Sequence, residues 1–263
     1  MTELKVFFKR RYLEVALFYL FLILIWVGIY FIAIESLGIW KSYAFPSPWG
    51  VLDVFYRLLV NHVMGTALLT TTQRMLLGYG LTVFLGMSIG ILTARWRYLS
   101  RNLCPLLLGV QTLPSICWVP FAILWFGLSN SAVIFIVVVS SFCSMALSTV
   151  AAITNINPLF VKASRTLGAK GYSLYRWVIL PAAVPALITG LKQAWSFAWR
   201  GLMAGEMLIG SNGIGQVLMR GRELADINQV MAMIIVVIGL GVLVEKFIFG
   251  RLEKHVAKRW GLA

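Results

Sequence analysis

The sequence predicts an all-α polytopic membrane protein with six transmembrane helices and both termini in the cytoplasm. Three observations carry this. First, 60% of the 263 residues are hydrophobic and 12% charged, where soluble domains carry about 25% charged residues. Second, the apolar residues gather into runs of about twenty or more, enough for a helix to cross a ~30 Å hydrocarbon core. Third, the lysines and arginines lie in short clusters between those runs, the pattern of the positive-inside rule. The net charge of +14 could suggest nucleic acid, but its distribution between apolar spans points to a lipid bilayer and no nucleic-acid partner. No polar segment is long enough for a soluble domain. Residues 1–263 therefore read as one membrane domain, with core spans over about 71–249 and a cytoplasmic loop over 155–180.

Lys5, Lys9, Arg10 and Arg11 precede the first span, Val15 to Ile34. A basic start and a long apolar run without a small-residue cleavage site read as a retained anchor, not a cleaved signal. Beyond Pro46, Pro48 and Trp49, the residues Leu52, Phe55, Tyr56, Leu59 and Val60 predict an interfacial amphipathic helix. The second span covers about Thr71 to Ala94. Its Gly78, Gly86 and Gly90, the last two forming G-x-x-x-G, leave a face that lets another helix approach closely. Arg74 opens this span near the outer boundary, where an interfacial anchor is the favoured reading.

After the basic loop of Arg95, Arg97 and Arg101, nothing from Asn102 to Val161 carries a formal charge. Two spans fit there, about Leu103 to Phe126 and Ser131 to Thr154, with Gly127 to Asn130 as the turn. Pro105, Pro114 and Pro120 break the third span. Backbone groups freed at membrane depth need protein or water, so this span is expected to line an interior path; a merely kinked packing helix is the alternative. The fifth span runs from about Pro181 to Ile209 and the sixth from about Ile227 to Phe249. With both termini inside, sixteen basic residues fall on cytoplasmic segments, and four, Lys41, Arg57, Arg220 and Arg222, on outer ones.

The fifth span holds Lys192, Arg200 and Glu206 in an otherwise apolar helix. Each is costly facing lipid, so each is expected to face the bundle interior or water. Lys192, Trp199 and Glu206 recur every seven residues and line one stripe, with Trp195 near it. Such a cationic, tryptophan-lined surface suits a small anion. The alternatives are a snorkelling Lys192 and a structural pair of Arg200 with Glu206 or a backbone carbonyl. Gln111 and Trp118 of the broken third span complete the candidate pathway residues.

Nothing supports catalysis. The sequence lacks G-x-x-x-x-G-K-[ST], so no ATP site is expected in the chain itself. No serine or cysteine has an evident histidine partner, and no cluster resembles a metal site. Cys104, Cys117 and Cys143 lie in apolar stretches and read as small core residues. The GSNGIG run from Gly210 reads as a turn into an outer amphipathic segment.

The most informative stretch is Lys162 to Pro181, KASRTLGAKGYSLYRWVILP, cationic and without an acid. Asn157 and Pro158 predict a helix start. Phe160, Ala163, Ser164 and Leu167 share one face, and Gly168 is placed to end the helix. A second short helix is expected from Leu174 into Leu180. A plain basic loop that only fixes topology is the bland reading. Ala163, Gly168, Val178, Leu180 and Pro181 stand at the offsets of a known loop motif: Glu-Ala-Ala, three residues, Gly, nine residues, Ile-x-Leu-Pro. Lys162 replaces the acid and Ser164 the second alanine. With this motif, the chain resembles the permease subunits of type I ABC importers. VQTLPSICWVPFAILWFGLS from Val110 and GEMLIGSNGIGQVL from Gly205 resemble the nitrate/sulfonate/taurine/bicarbonate branch.

The resemblance implies a type I importer permease fold in a prokaryotic inner membrane. It implies that Lys162, Ala163, Ser164, Arg165, Leu167, Gly168, Ala169 and Pro181 form the contact coupling the chain to its ATPase. ATP and Mg are then bound by the partner ABC ATPase subunits, and this chain carries no cofactor. An extracytoplasmic solute-binding protein and a second permease copy or paralogue are the other implied partners. The implied cargo is a small anion such as nitrate, bicarbonate, a sulfonate or taurine, with a heterocyclic vitamin precursor as the rival. A rival of another class is an ATP-independent channel or secondary transporter, which would need no docking loop and would favour internal inverted repeats; none is evident. A purely structural anchor would leave the charges of the fifth span unexplained.

Overall fold

The computed structural model describes residues 2–36, 44–210 and 212–260. Lys41, placed on the outer side above, lies outside them. Among the described residues all regular structure is helical. The α-helices are α1 (Thr2–Tyr30), α2 (Pro48–Val60), α3 (Val63–Arg95), α4 (Arg97–Gln111), α5 (Val119–Phe126) and α6 (Asn130–Thr154). They continue as α7 (Pro158–Thr166), α8 (Gly171–Leu174), α9 (Leu180–Ile209), α10 (Ile214–Glu223), α11 (Ile227–Val244) and α12 (Gly250–Arg259). Among the described residues, four helices are long and apolar enough to cross a membrane: Val63–Arg95, Asn130–Thr154, Gly171–Ile209 and Ile227–Arg259. The pair Arg97–Gln111 and Ser115–Phe126, bent by 97°, makes a fifth if counted as one span. The apolar part of α1, Leu17–Tyr30, is shorter.

The chain falls into two compact units. One comprises the residues up to Met64 with Leu218–Ile235. Its core is Val51, Val54 and Ala232, against which Trp26, Phe55 and Leu58 pack. The Trp26 indole donates to the Pro46 carbonyl at 3.1 Å. Ser47 caps α2 by accepting from Gly50 N, and its own N–H donates to Asn228 Oδ1 at 2.9 Å. The amphipathic helix forms as expected, but Val51 and Val54 are its buried residues, while Leu52, Tyr56, Leu59 and Val60 are exposed.

The other unit comprises Gly65–Val217 and the chain from Val236. It is built around α6, whose Ala132, Val133, Ile136 and Val137 form the core with Ala198 and Leu202 of α9. Glycines permit this packing. A β-carbon built at Gly86 would sit 2.7 Å from Met145 Cβ, and one at Gly90 2.5 Å from Thr149 Cβ. The glycine face of α3 thus meets α6, and the Thr82 and Ser141 hydroxyls join at 2.8 Å behind it. Gly190 and Gly201 admit Ser148 and Ser140 of α6 to α9 in the same way.

Two expectations are corrected. Only one of the three prolines breaks the third span. Pro105 lies inside α4 and Pro120 in the first turn of α5, where its missing N–H is harmless. Pro114 sits at the break, with extended backbone at φ −57° and ψ 139°. The second short helix after the cationic loop is not separate. Helical structure runs from Gly171 through a π-helical segment, Tyr175–Ile179, into α9. Pro181 follows the π-helical segment directly, so its missing N–H falls where the hydrogen-bond register changes from π to α.

Candidate transport site and coupling loop

The loop between α6 and α9 carries α7. Its N-cap Asn157 accepts from Leu159 N at 2.9 Å, and Pro158 follows at the first helical position. Gly168 takes φ +90°. Its N–H donates to Arg165 O at 3.0 Å and Ala169 N–H to Ser164 O at 2.9 Å, the paired closure that a left-handed residue after a helix makes possible. Leu159, Phe160 and Leu167 are exposed, Leu167 at 88%. Lys162, Ala163 and Arg165 are also exposed, and Ser164 is half-buried with its hydroxyl on Phe160 O. The short helix thus presents apolar and basic side chains together, with no acid among them.

The α9 charges fall into three separate settings. Glu206 is fully buried, and Arg74 is 4% exposed. Arg74 Nη1 meets Glu206 Oε1 at 2.9 Å. Thr71 Oγ1 lies 2.9 Å from both carboxylate oxygens and accepts the Ile214 N–H at 2.9 Å. Gly215 N–H donates to Glu206 Oε2 at 3.0 Å. Asn130 Oδ1, in the first turn of α6, accepts from Arg74 Nε at 3.0 Å and also from Nη2. A side chain on Gly213 would collide with the Glu206 carboxylate, and a β-carbon on Gly215 would lie 2.7 Å from Glu206 Cβ. One carboxylate therefore joins α3, α9 and the turn that opens α10. Arg74 is not an interfacial anchor: a buried guanidinium needs a counter-charge, and Glu206 supplies it.

Lys192 Nζ pairs with Glu245 at 3.0 Å and Glu253 at 3.6 Å. It lines a small cavity of about 150 Å³ with Trp195, Trp199 and Phe249. Trp195 stacks on Trp199 with ring centroids 6.2 Å apart and meets Tyr79 edge-on at 5.0 Å. Both tryptophans pack against the α6–α9 core.

Arg200 stands elsewhere. Its Nε donates to Ser196 O at 3.2 Å, and its guanidinium lies 4.4 Å from the Phe197 ring centroid. It forms no pair with Glu206. Six helical residues turn the two side chains about 120° apart, and Arg74 already occupies the carboxylate. Arg200 instead opens onto a cavity of about 310 Å³, which Gln111 and Trp118 also line. The structure therefore brings Gln111, Trp118 and Arg200 together, puts Lys192, Trp195 and Trp199 at a second place, and buries Glu206 at a third. Lys192, Trp199 and Glu206 share a helix stripe, but that stripe is not one continuous surface. The sequence pattern did not point to Thr71, Asn130, Glu245 or Glu253, which become neighbours of the charged residues only through tertiary packing.

Long apolar helices, a broken helix pair and charges held inside define a multi-pass membrane protein. The chain belongs to the family described as binding-protein-dependent transport system inner membrane component, whose model matches residues 83–260. It is thus an ABC transporter permease subunit. It is similar to the putative aliphatic sulfonates transport permease protein SsuC of Bacillus subtilis, 29% identical over 86% of this chain and 82% of that one. It is also similar to the formylaminopyrimidine transport permease protein ThiX of Halalkalibacterium halodurans, 29% identical over 89% of this chain and 92% of that one. Among solved structures, an inward-facing form of the MetNI methionine ABC transporter matches 74% of this chain and 96% of its own, with TM-score 0.59 at 18% identity.

Proposed function

We propose that this chain is the membrane-spanning subunit of an ATP-driven importer and that its cargo is a small anion. The observation that carries the ATP-driven reading is α7. A short helix between two long apolar helices presents Leu159, Phe160 and Leu167 together with Lys162 and Arg165, a mixed apolar and basic surface that suits a groove on another protein. The cover is a cytoplasmic ATPase subunit, which binds ATP and Mg and moves α7 as it closes. Lys162, Ala163, Ser164, Arg165, Leu167, Gly168, Ala169 and Pro181 shape that contact. Six spans, with the first in α1 and both termini inside, place α7 on the ATPase side. A solute-binding protein delivers cargo to the outer face, and a second permease copy or a paralogue completes the pathway. This chain is not itself an enzyme.

The anion reading rests on Arg200, a membrane-embedded cation open to a cavity, and on the sulfonate named for the Bacillus relative. The name of the Halalkalibacterium relative keeps a pyrimidine as the second reading. The test is co-purification with the ATPase, followed by ATP hydrolysis in the presence of the binding protein with taurine, ethanesulfonate, nitrate or formylaminopyrimidine. An anion should stimulate hydrolysis. Stimulation by the pyrimidine alone sinks the anion reading, and failure to bind any ATPase sinks the importer mechanism.

A further inference from the structure

The charges inside the second unit do not balance evenly. Arg74 is matched by Glu206, and Lys192 by Glu245 and Glu253. Arg200 has a carbonyl and an aromatic ring but no acid. From Val63 to Trp260 the acids are Glu206, Glu223, Asp226, Glu245 and Glu253. Glu223 ends α10 and Asp226 directly precedes α11, and the others are already engaged. An exposed guanidinium with no acid beside it among the residues of its own unit takes its partner from water or from an anion in the cavity it faces.

The cavity supplies the rest of a recognition set. Gln111, Ser115 and Trp118 line it with Arg200, and none of their side-chain N–H or O–H groups has a hydrogen-bond partner among the described residues. Pro114 explains why. It turns the chain by 97° between α4 and the Ser115–Phe126 segment, and so aims the end of one helix and the start of the next into the same space. Phe197 and Val139 give an apolar wall. Several N–H and O–H donors around one cation match an oxyanion, and the apolar wall suits a short hydrocarbon tail.

We propose that the permease itself holds an anion site in this cavity, with Arg200 as the charge partner and Gln111, Ser115 and Trp118 as donors, suited to a singly charged oxyanion bearing a small apolar group. The proposal rests on the importer reading and adds a selective site to what would otherwise be an open path. Arg200 sets the requirement for charge, and Trp118 and Phe197 set the size of the tail.

The test uses the complete permease–ATPase complex in nanodiscs without the binding protein, titrated with ethanesulfonate, nitrate and the neutral ethyl methyl sulfone. Ethanesulfonate should bind, nitrate should compete, and the sulfone should not bind. Arg200→Gln should weaken ethanesulfonate binding at least about tenfold, the loss of one charge-assisted contact. Arg200→Lys should retain part of it. Trp118→Phe, which keeps the ring and removes the N–H, should weaken it about two- to tenfold. Equal binding by wild type and Arg200→Gln overturns the site, as does sulfone binding as well as ethanesulfonate. If Arg200→Gln loses assembled complex by size-exclusion, Trp118→Phe decides: unchanged binding there makes Arg200 structural. Absence of anion binding to a wild-type complex that still imports the anion removes the site and leaves the importer reading intact. Absence of anion import by the complete system removes the cargo reading instead.

Discussion

Glu206 shows how a charge survives inside an apolar helix. Alone it would be costly; here a guanidinium, a hydroxyl and a backbone N–H share its two oxygens. Removing one partner of such a buried pair costs about 3–5 kcal/mol, because the other charge is stranded. Glu206→Gln and Arg74→Met should each lower the thermal unfolding midpoint of the purified complex. The double variant Arg74→Met/Glu206→Met should recover much of that loss, giving strong coupling in a double-mutant cycle. Additive losses would mean the two charges do not interact. This pairing was not legible in the sequence, where Arg200 paired with Glu206 or with a backbone carbonyl stood only as the alternative to a pathway role; of the two partners it is a carbonyl, Ser196 O, that Arg200 meets. Helical periodicity compares residues within one element, whereas Arg74 and Glu206 are 132 positions apart on different helices. What was legible was the need of the α9 charges, Lys192, Arg200 and Glu206, to face protein or water; Arg74 read as an interfacial anchor, and its pairing with Glu206 corrects that reading.

At the scale of the element, α7 was the most readable part. Asn157, Pro158 and Gly168 each carry a local backbone rule, and each acts within a few residues of itself. The glycine face of α3 was readable for the same reason, since small size at Gly78, Gly86 and Gly90 matters wherever the neighbour comes from. The unbroken passage of helical structure into α9 was not, because a π-helical segment leaves little signature in residue type. The α7 geometry predicts that Gly168→Asp uncouples the protein. At φ +90° any side chain is strained by about 1–2 kcal/mol, and the added charge sits among the residues proposed to dock the ATPase. The variant should reach the membrane, yet its co-purification with the ATPase and its cargo-stimulated ATP hydrolysis should both fall. Wild-type values for both would show that α7 is not the contact. Gly168→Asn, which tolerates the left-handed conformation better, should fall between.

Across the whole molecule orientation decides, because α7 meets an ATPase only if it faces the cytoplasm. The distribution of lysine and arginine predicts this independently of any contact. In a background lacking Cys104, Cys117 and Cys143, single cysteines at Ser47 and Asn212 should react with a membrane-impermeant thiol reagent in intact cells. One at Lys170 should react only after permeabilisation. In the proposed mechanism ATP hydrolysis outside this chain drives anion import through it by way of α7. Uptake of labelled anion into proteoliposomes containing the ATPase, the binding protein and this permease tests that most directly. Wild type should accumulate the anion only with ATP, and Gly168→Asp should not, although it is inserted to the same level. Accumulation without ATP, or equal ATP-dependent uptake by the two proteins, would contradict the account.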